Sequence, residues 1–96
     1  MASEAVPEEL ERLVQKMHDA YTQSEVEIAL ALAEAGEALT TEELAESTGY
    51  TDRTIRKRVR TLEERLRGEP LINRDDDDNP YLHPELASAL LVVEPE

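Results

Sequence analysis

The stretch from Leu39 to Leu66, LTTEELAESTGYTDRTIRKRVRTLEERL, leaves the backbone little freedom. Thr40 and Glu43 have the spacing of a capping box, which opens a short helix over TEELAEST. That helix stops at Gly49, a residue that enters the left-handed region at little cost. Thr51 then caps a second helix with Asp52 in its first turn, and Ile55, Val59, Leu62 and Leu66 recur at spacings of 4, 7 and 11 until Gly68. Two helices joined by so short a turn must cross closely. Ala45 is small where they meet, and Ile55 and Val59 anchor the second helix to the core.

Around this pair the periodicity predicts further helices. Leu10, Leu13, Val14, Met17 and Tyr21 form one apolar stripe over residues 7–21. Ser24 and Glu27 repeat the capping-box spacing ahead of EVEIALALAEA, which is apolar most of the way round, runs to Gly36 and is therefore central. Beyond Gly68, Leu71-Ile72 and Tyr81-Leu82 are short apolar pieces on either side of NRDDDDNP, which predicts a β-hairpin over about 70–83 with a loose loop. Pro80 suits the edge of a strand and not its middle. PELASALLVV, at 84–93, begins with a proline suited to a first helical turn and carries Leu86, Leu90 and Leu91; it reads as a helix, or as one ending in a strand at 91–93. The expectation is a single, mainly α domain over residues 1–96 with a small β-hairpin, as suits a chain of this length.

The charge is unevenly placed. Ten basic residues against 23 acidic give a net charge of −13, which by itself argues against a nucleic-acid partner. Yet seven of the ten lie between Thr51 and Arg67, opposed only by Asp52, Glu63 and Glu64, so this segment carries +4 and the remainder −17. Lysine occurs only at Lys16 and Lys57, phenylalanine and tryptophan are absent, and the apolar positions lean on alanine, valine and leucine. This composition resembles that of proteins from salt-loving archaea. At about 1 M salt the Debye length is about 3 Å, and global repulsion from DNA is nearly silent. The absence of cysteine excludes disulfides and thiolate metal sites, and neither a signal peptide nor a bilayer-spanning run is legible, so a cytoplasmic location is expected.

The order helix, helix, short helix, tight turn, basic helix and hairpin, together with Leu44-Ala45, Gly49, Thr51, Ile55 and Val59, resembles the winged helix-turn-helix transcription regulators of the broad MarR, ArsR and Lrp type over about residues 25–83. The resemblance implies a helix-turn-helix over about 41–67, with residues 52–67 as the recognition helix in the major groove and the hairpin as the wing. At 100° per residue, Val59, Leu62 and Leu66 fall within about 40° of Ile55, whereas Arg53, Lys57 and Arg60 lie about 140° to 200° away and Arg56 about 100° away. Arg58, at about 300°, flanks the core stripe and is expected to reach a phosphate or a nearby carboxylate. Arginine bonds guanine bidentately or clasps phosphate, and threonine and tyrosine offer hydroxyls. The candidate DNA-binding residues are thus Arg53, Thr54, Lys57 and Arg60 in the groove, with Tyr50, Thr51 and Arg56 on the backbone. The expected function is sequence-specific binding of double-stranded DNA by a transcription regulator. A homodimer through helix 7–21 and segment 84–93 would place two recognition helices about 34 Å apart. The alternative is a protein-interaction module of the transcription or replication machinery that grips an acidic partner with the same basic face.

Other chemistry finds little support in the sequence. Asp75, Asp77 and Asn79 alternate as in a calcium loop, but Pro80 stands where that loop needs glycine and Leu86 where it needs glutamate. His18 and His83 lack companion ligands, Ser24 and Ser88 lack a histidine–carboxylate constellation, and there is no glycine-rich phosphate loop. No enzyme, cofactor or metal is expected. An acidic hairpin tip whose only cation is Arg74 is also not expected to touch DNA directly, unless through bound potassium or magnesium.

Overall fold

The computed structural model describes residues 6–67 and 71–94. Five helices and a two-stranded sheet follow one another as α1 (Glu8–Ala20), α2 (Gln23–Ala35), α3 (Thr41–Thr48), α4 (Asp52–Arg65), β1 (Ile72–Arg74), β2 (Pro80–Leu82) and α5 (Pro84–Val92). The architecture is mainly helical, with a small antiparallel hairpin. No helix among the described residues is long and apolar enough to cross a membrane.

Helix α2 is central, as its composition predicts, and the other four helices and β2 all pack against it. Its Ile28, Ala29 and Leu32 meet Val14 and Met17 of α1, Leu44 of α3, Ile55, Val59 and Leu62 of α4, and Leu86, Ala89 and Leu90 of α5 in one core. Ala45 packs at its margin. Helix α3, only eight residues long, is too short to persist alone and depends on this packing.

The capping signals of α3 and α4 form as predicted. Thr40 Oγ1 accepts from the Glu43 N–H at 3.0 Å and the Glu43 carboxylate returns the bond to the Thr40 N–H at 2.8 Å. Gly49 adopts φ +83° and donates to the Ala45 carbonyl, closing α3, and Thr51 caps α4 through the Thr54 N–H. At α2 the cap differs from the sequence expectation. Thr22 and Glu25, not Ser24 and Glu27, make the capping box, so the helix begins at Gln23. TQSEVE contains two overlapping S/T-x-x-E frames, and the earlier one prevails because it brings Glu25 to a partner on α4. Helix α4 ends at Arg65, short of the expected Gly68, which lies outside the described residues along with position 70, the expected start of the hairpin.

In the hairpin, Ile72 faces Leu82 and Arg74 faces Pro80, with Ile72 and Leu82 buried. The Pro80 carbonyl accepts from the Leu39 N–H, which ties the hairpin to the approach to α3. Its loop is not loose. Asp75 Oδ1 accepts from the N–H groups of Asp77 and Asn79 at 2.9 Å each, and two backbone bonds close the same turn. The chain from Pro84 stays helical through Val92, so the alternative of a strand at 91–93 is not realised. Leu86, Ala89 and Leu90 form the buried face of α5, leaving Leu91 and Val92 exposed.

Candidate nucleic-acid interface

Ile55, Val59, Leu62 and Leu66 are buried, so α4 is fixed with its opposite face toward solvent. Arg53, Arg56, Lys57 and Arg60 are all exposed on the face that this leaves. None of the four makes an ion pair with another described residue. In a chain with 23 acidic residues this is an informative arrangement, because surface carboxylates are plentiful and no described one forms an ion pair with these four.

The hydroxyl groups expected to join these cations are engaged within the protein. Thr51 Oγ1 accepts from the Thr54 N–H at 3.2 Å and donates to Thr54 Oγ1 at 3.1 Å, which leaves the Thr54 hydroxyl proton free for an acceptor. The Tyr50 phenol is influenced by the Glu27 carboxylate of α2, which raises the phenol pKa. The Glu27 carboxyl is lowered by its bond from Gln23 and by the Tyr50 phenol. Of the two partners expected for Arg58, a phosphate or a carboxylate, no described carboxylate is reached, and its Nε is buried without a hydrogen-bond partner.

A cleft of about 370 Å³ runs between α4 and the hairpin. Arg56 and Arg60 form one wall and Arg74, Asp77, Asp78 and Pro80 the other, with Thr41, Leu44 and Val59 between them. Arg74 braces the hairpin against the helix. Its Nε and Nη2 donate to the two oxygens of Glu63 at 2.7 and 3.1 Å, while Nη1 donates to the Asp78 carbonyl at 2.9 Å. The sequence reading missed this cleft. Charge composition marks the acidic tip, but nothing local in the chain indicates that it stands across from Arg56 and Arg60.

The last turns of α4 differ. Glu25 is completely buried, and Arg65 Nε donates to both of its oxygens, at 3.1 and 2.9 Å. Thr61 Oγ1 donates to Glu25 Oε2, and the Thr22 N–H and hydroxyl donate to Oε1. The Arg65 guanidinium also lies 4.7 Å from the Tyr21 ring centroid, a cation–π contact that ties in the end of α1. Burial alone would raise the Glu25 pKa, but the bonds from Thr61, the Thr22 N–H, Arg65 and the Thr22 hydroxyl outweigh it and hold the carboxyl below its ordinary value.

His83 is a helix cap, its Nδ1 accepting from the Glu85 N–H at 3.1 Å. Among the described residues no group of three or more histidine, aspartate or glutamate side chains is arranged to hold a metal ion. Comparison of the chain with protein-family models, curated proteins and solved structures returns no match.

Proposed function

We propose that the protein is a winged helix-turn-helix transcription regulator of haloarchaeal type that binds double-stranded DNA sequence-specifically, with α4 as recognition helix and the β1-β2 hairpin as wing. The observation that carries this reading is the set of four exposed cations at Arg53, Arg56, Lys57 and Arg60 that pair with no described residue, held away from the buried face of α4 in a chain of net charge −13. Arg53 and Lys57, in the first turns of the helix, meet base edges in the major groove, where the Thr54 hydroxyl donates to an acceptor. Arg56 and Arg60, on the cleft wall, meet the phosphate backbone. In concentrated salt, counterion release contributes little, and base contacts carry the discrimination.

A second copy docks through the α1 and α5 side. Among the described residues Leu91 and Val92 are the large apolar ones left most exposed, at 52% and 61%, and Leu10 and Leu13 of α1 are only partly covered. Such a dimer reads a palindromic site with half-sites about 34 Å apart.

The test is the double substitution R53E/K57E, assayed by mobility shift in about 1 M KCl on a duplex that the wild-type chain selects from a random library. Both side chains are exposed and pair with no described residue, so the unfolding free energy should stay within about 0.5 kcal/mol of wild type. Affinity should fall at least about a hundredfold, as the loss of two base-directed contacts requires. Unchanged affinity in a folded variant would falsify the reading.

A further inference from the structure

The hairpin tip presents carboxylates to the basic face of α4. Asp77 and Asp78 line the same cleft as Arg56 and Arg60, so any phosphate strand that enters between α4 and the hairpin meets both signs of charge. The tip is also held in position. The Asp75 carboxylate is consumed inside the turn by two backbone N–H groups, and Arg74 grips the Asp78 carbonyl with one edge and Glu63 of α4 with the other. Arg74 lies 3.6 Å from the Asp78 carboxylate, but its charge is shared with Glu63 at 2.7 Å. Asp77 and Asp78 are therefore incompletely balanced by Arg74, and they share the cleft with Arg56 and Arg60, which pair with no described residue.

We infer that Asp77 and Asp78 are a fixed electrostatic counterweight to Arg56 and Arg60, which weakens the grip on the phosphate backbone of every duplex so that only complexes secured by base contacts from α4 persist. The inference rests on the DNA-binding reading given above and adds to it residues that set the binding threshold. Phosphate attraction is blind to sequence and supplies essentially all non-specific affinity. Two carboxylates beside the phosphate path oppose that term and leave base readout by Arg53 and Lys57 untouched. The opposition also depends on salt. At about 0.1 M the Debye length is about 10 Å and the carboxylates reach across the cleft, whereas at about 1 M it is about 3 Å and their influence is confined to contact. Dilution of the medium, which tightens most protein–DNA complexes indiscriminately, is thus resisted by the tip.

The experiment compares wild type with D77N/D78N on two duplexes, one selected from a random library by the wild-type chain and one of scrambled sequence, from about 0.1 M to about 1 M KCl. Asparagine suits position 78, where φ is +68°, because it tolerates the left-handed region nearly as well as glycine. At the lowest salt the double variant should bind both duplexes about tenfold more tightly, the effect of removing two charges at near-contact distance. The gain should vanish toward 1 M, so the plot of log K against log salt steepens by up to about 2. Wild-type binding that the substitutions leave unchanged overturns the counterweight alone. Weaker binding by D77N/D78N also overturns it, since the carboxylates would then assist the complex, as they would if cations bridged them to DNA. A folded wild-type chain that binds neither duplex at any salt concentration overturns the DNA reading and the counterweight together.

Discussion

Between Arg53 and Arg60, α4 exposes four cations that pair with no described residue, whereas between Thr61 and Arg65 three of its side chains are bonded to other elements: Thr61 and Arg65 to Glu25, and Glu63 to Arg74. Both halves lie on one helix, share one buried stripe and draw on the same arginine-rich composition. The difference is the neighbour. The second half runs past the α1-α2 turn, where the Glu25 carboxylate reaches it, and beside Arg74 of the hairpin, which bonds its Glu63. The first half projects beyond them into solvent. An arginine with a buried, hydrogen-bonded carboxylate serves the fold, and one left without a partner in an acid-rich protein is available to something outside it.

The sharpest way to break this contrast is to remove the carboxylate that anchors the second half. Glu25→Ala takes away the α2 capping box and the acceptor for Arg65 and Thr61 at once. Loss of one partner of a buried pair costs about 3–5 kcal/mol, and because 41% of the Arg65 side chain is exposed and can rehydrate, the expected loss is near the lower end, about 3 kcal/mol, read from urea unfolding. A loss below about 1 kcal/mol would mean that the two halves are energetically alike.

Acid titration sharpens the same point through linkage. The folded Glu25 carboxyl sits below its unfolded value, so the stability it contributes is fully present above the ordinary glutamate pKa of about 4.3 and is lost as pH falls through the folded value. Wild type should therefore lose more stability than Glu25→Gln as pH is lowered below about 4.3, with the two curves parallel above about pH 6. Parallel curves throughout would remove Glu25 from the account of acid sensitivity.

The smallest expected effect is at the brace between α4 and the hairpin. Arg74→Ala removes bonds to Glu63 and Asp78 from a partly exposed site, at a cost of about 0.5 kcal/mol, because solvent screens such pairs. Its larger consequence should be local, namely faster amide hydrogen exchange at Asp77 and Asn79 with little change in the global unfolding midpoint. Uniform acceleration across α4 would instead make Arg74 part of the global fold.

Much of this architecture is legible from short-range signals. Thr40 with Glu43, Gly49, and Thr51 with Asp52 specify helix ends through bonds that span three or four residues, and the stripe Ile55, Val59, Leu62, Leu66 fixes which face of α4 is buried. The same projection identifies Arg53, Lys57 and Arg60 as outward-facing. The failures occur where a residue has more than one local option. TQSEVE offers two capping frames, and the choice of Thr22 over Ser24 depends on Glu25 meeting Thr61 and Arg65, which lie 36 and 40 positions away. NRDDDDNP contains the turn-forming residues, yet its tightness comes from the particular bonds of Asp75 and its placement from Arg74 meeting Glu63. For Arg58 the angle on the helix leaves a phosphate or a carboxylate open as partner, and only the packing shows that no described carboxylate pairs with it.

The sequence by itself therefore determined both ends of α3 and the start of α4, which face of α4 is apolar, and that positive charge concentrates on that helix, because caps, glycine turns and amphipathic stripes are properties of neighbours along the chain. Only the tertiary structure decided which charges neutralise one another and which stay free, and that the acidic tip shares a cleft with Arg56 and Arg60. The physical reason is range. A hydrogen-bonded ion pair forms only when donor and acceptor come within about 3 Å, and for groups dozens of residues apart that approach is set by how the helices pack around α2.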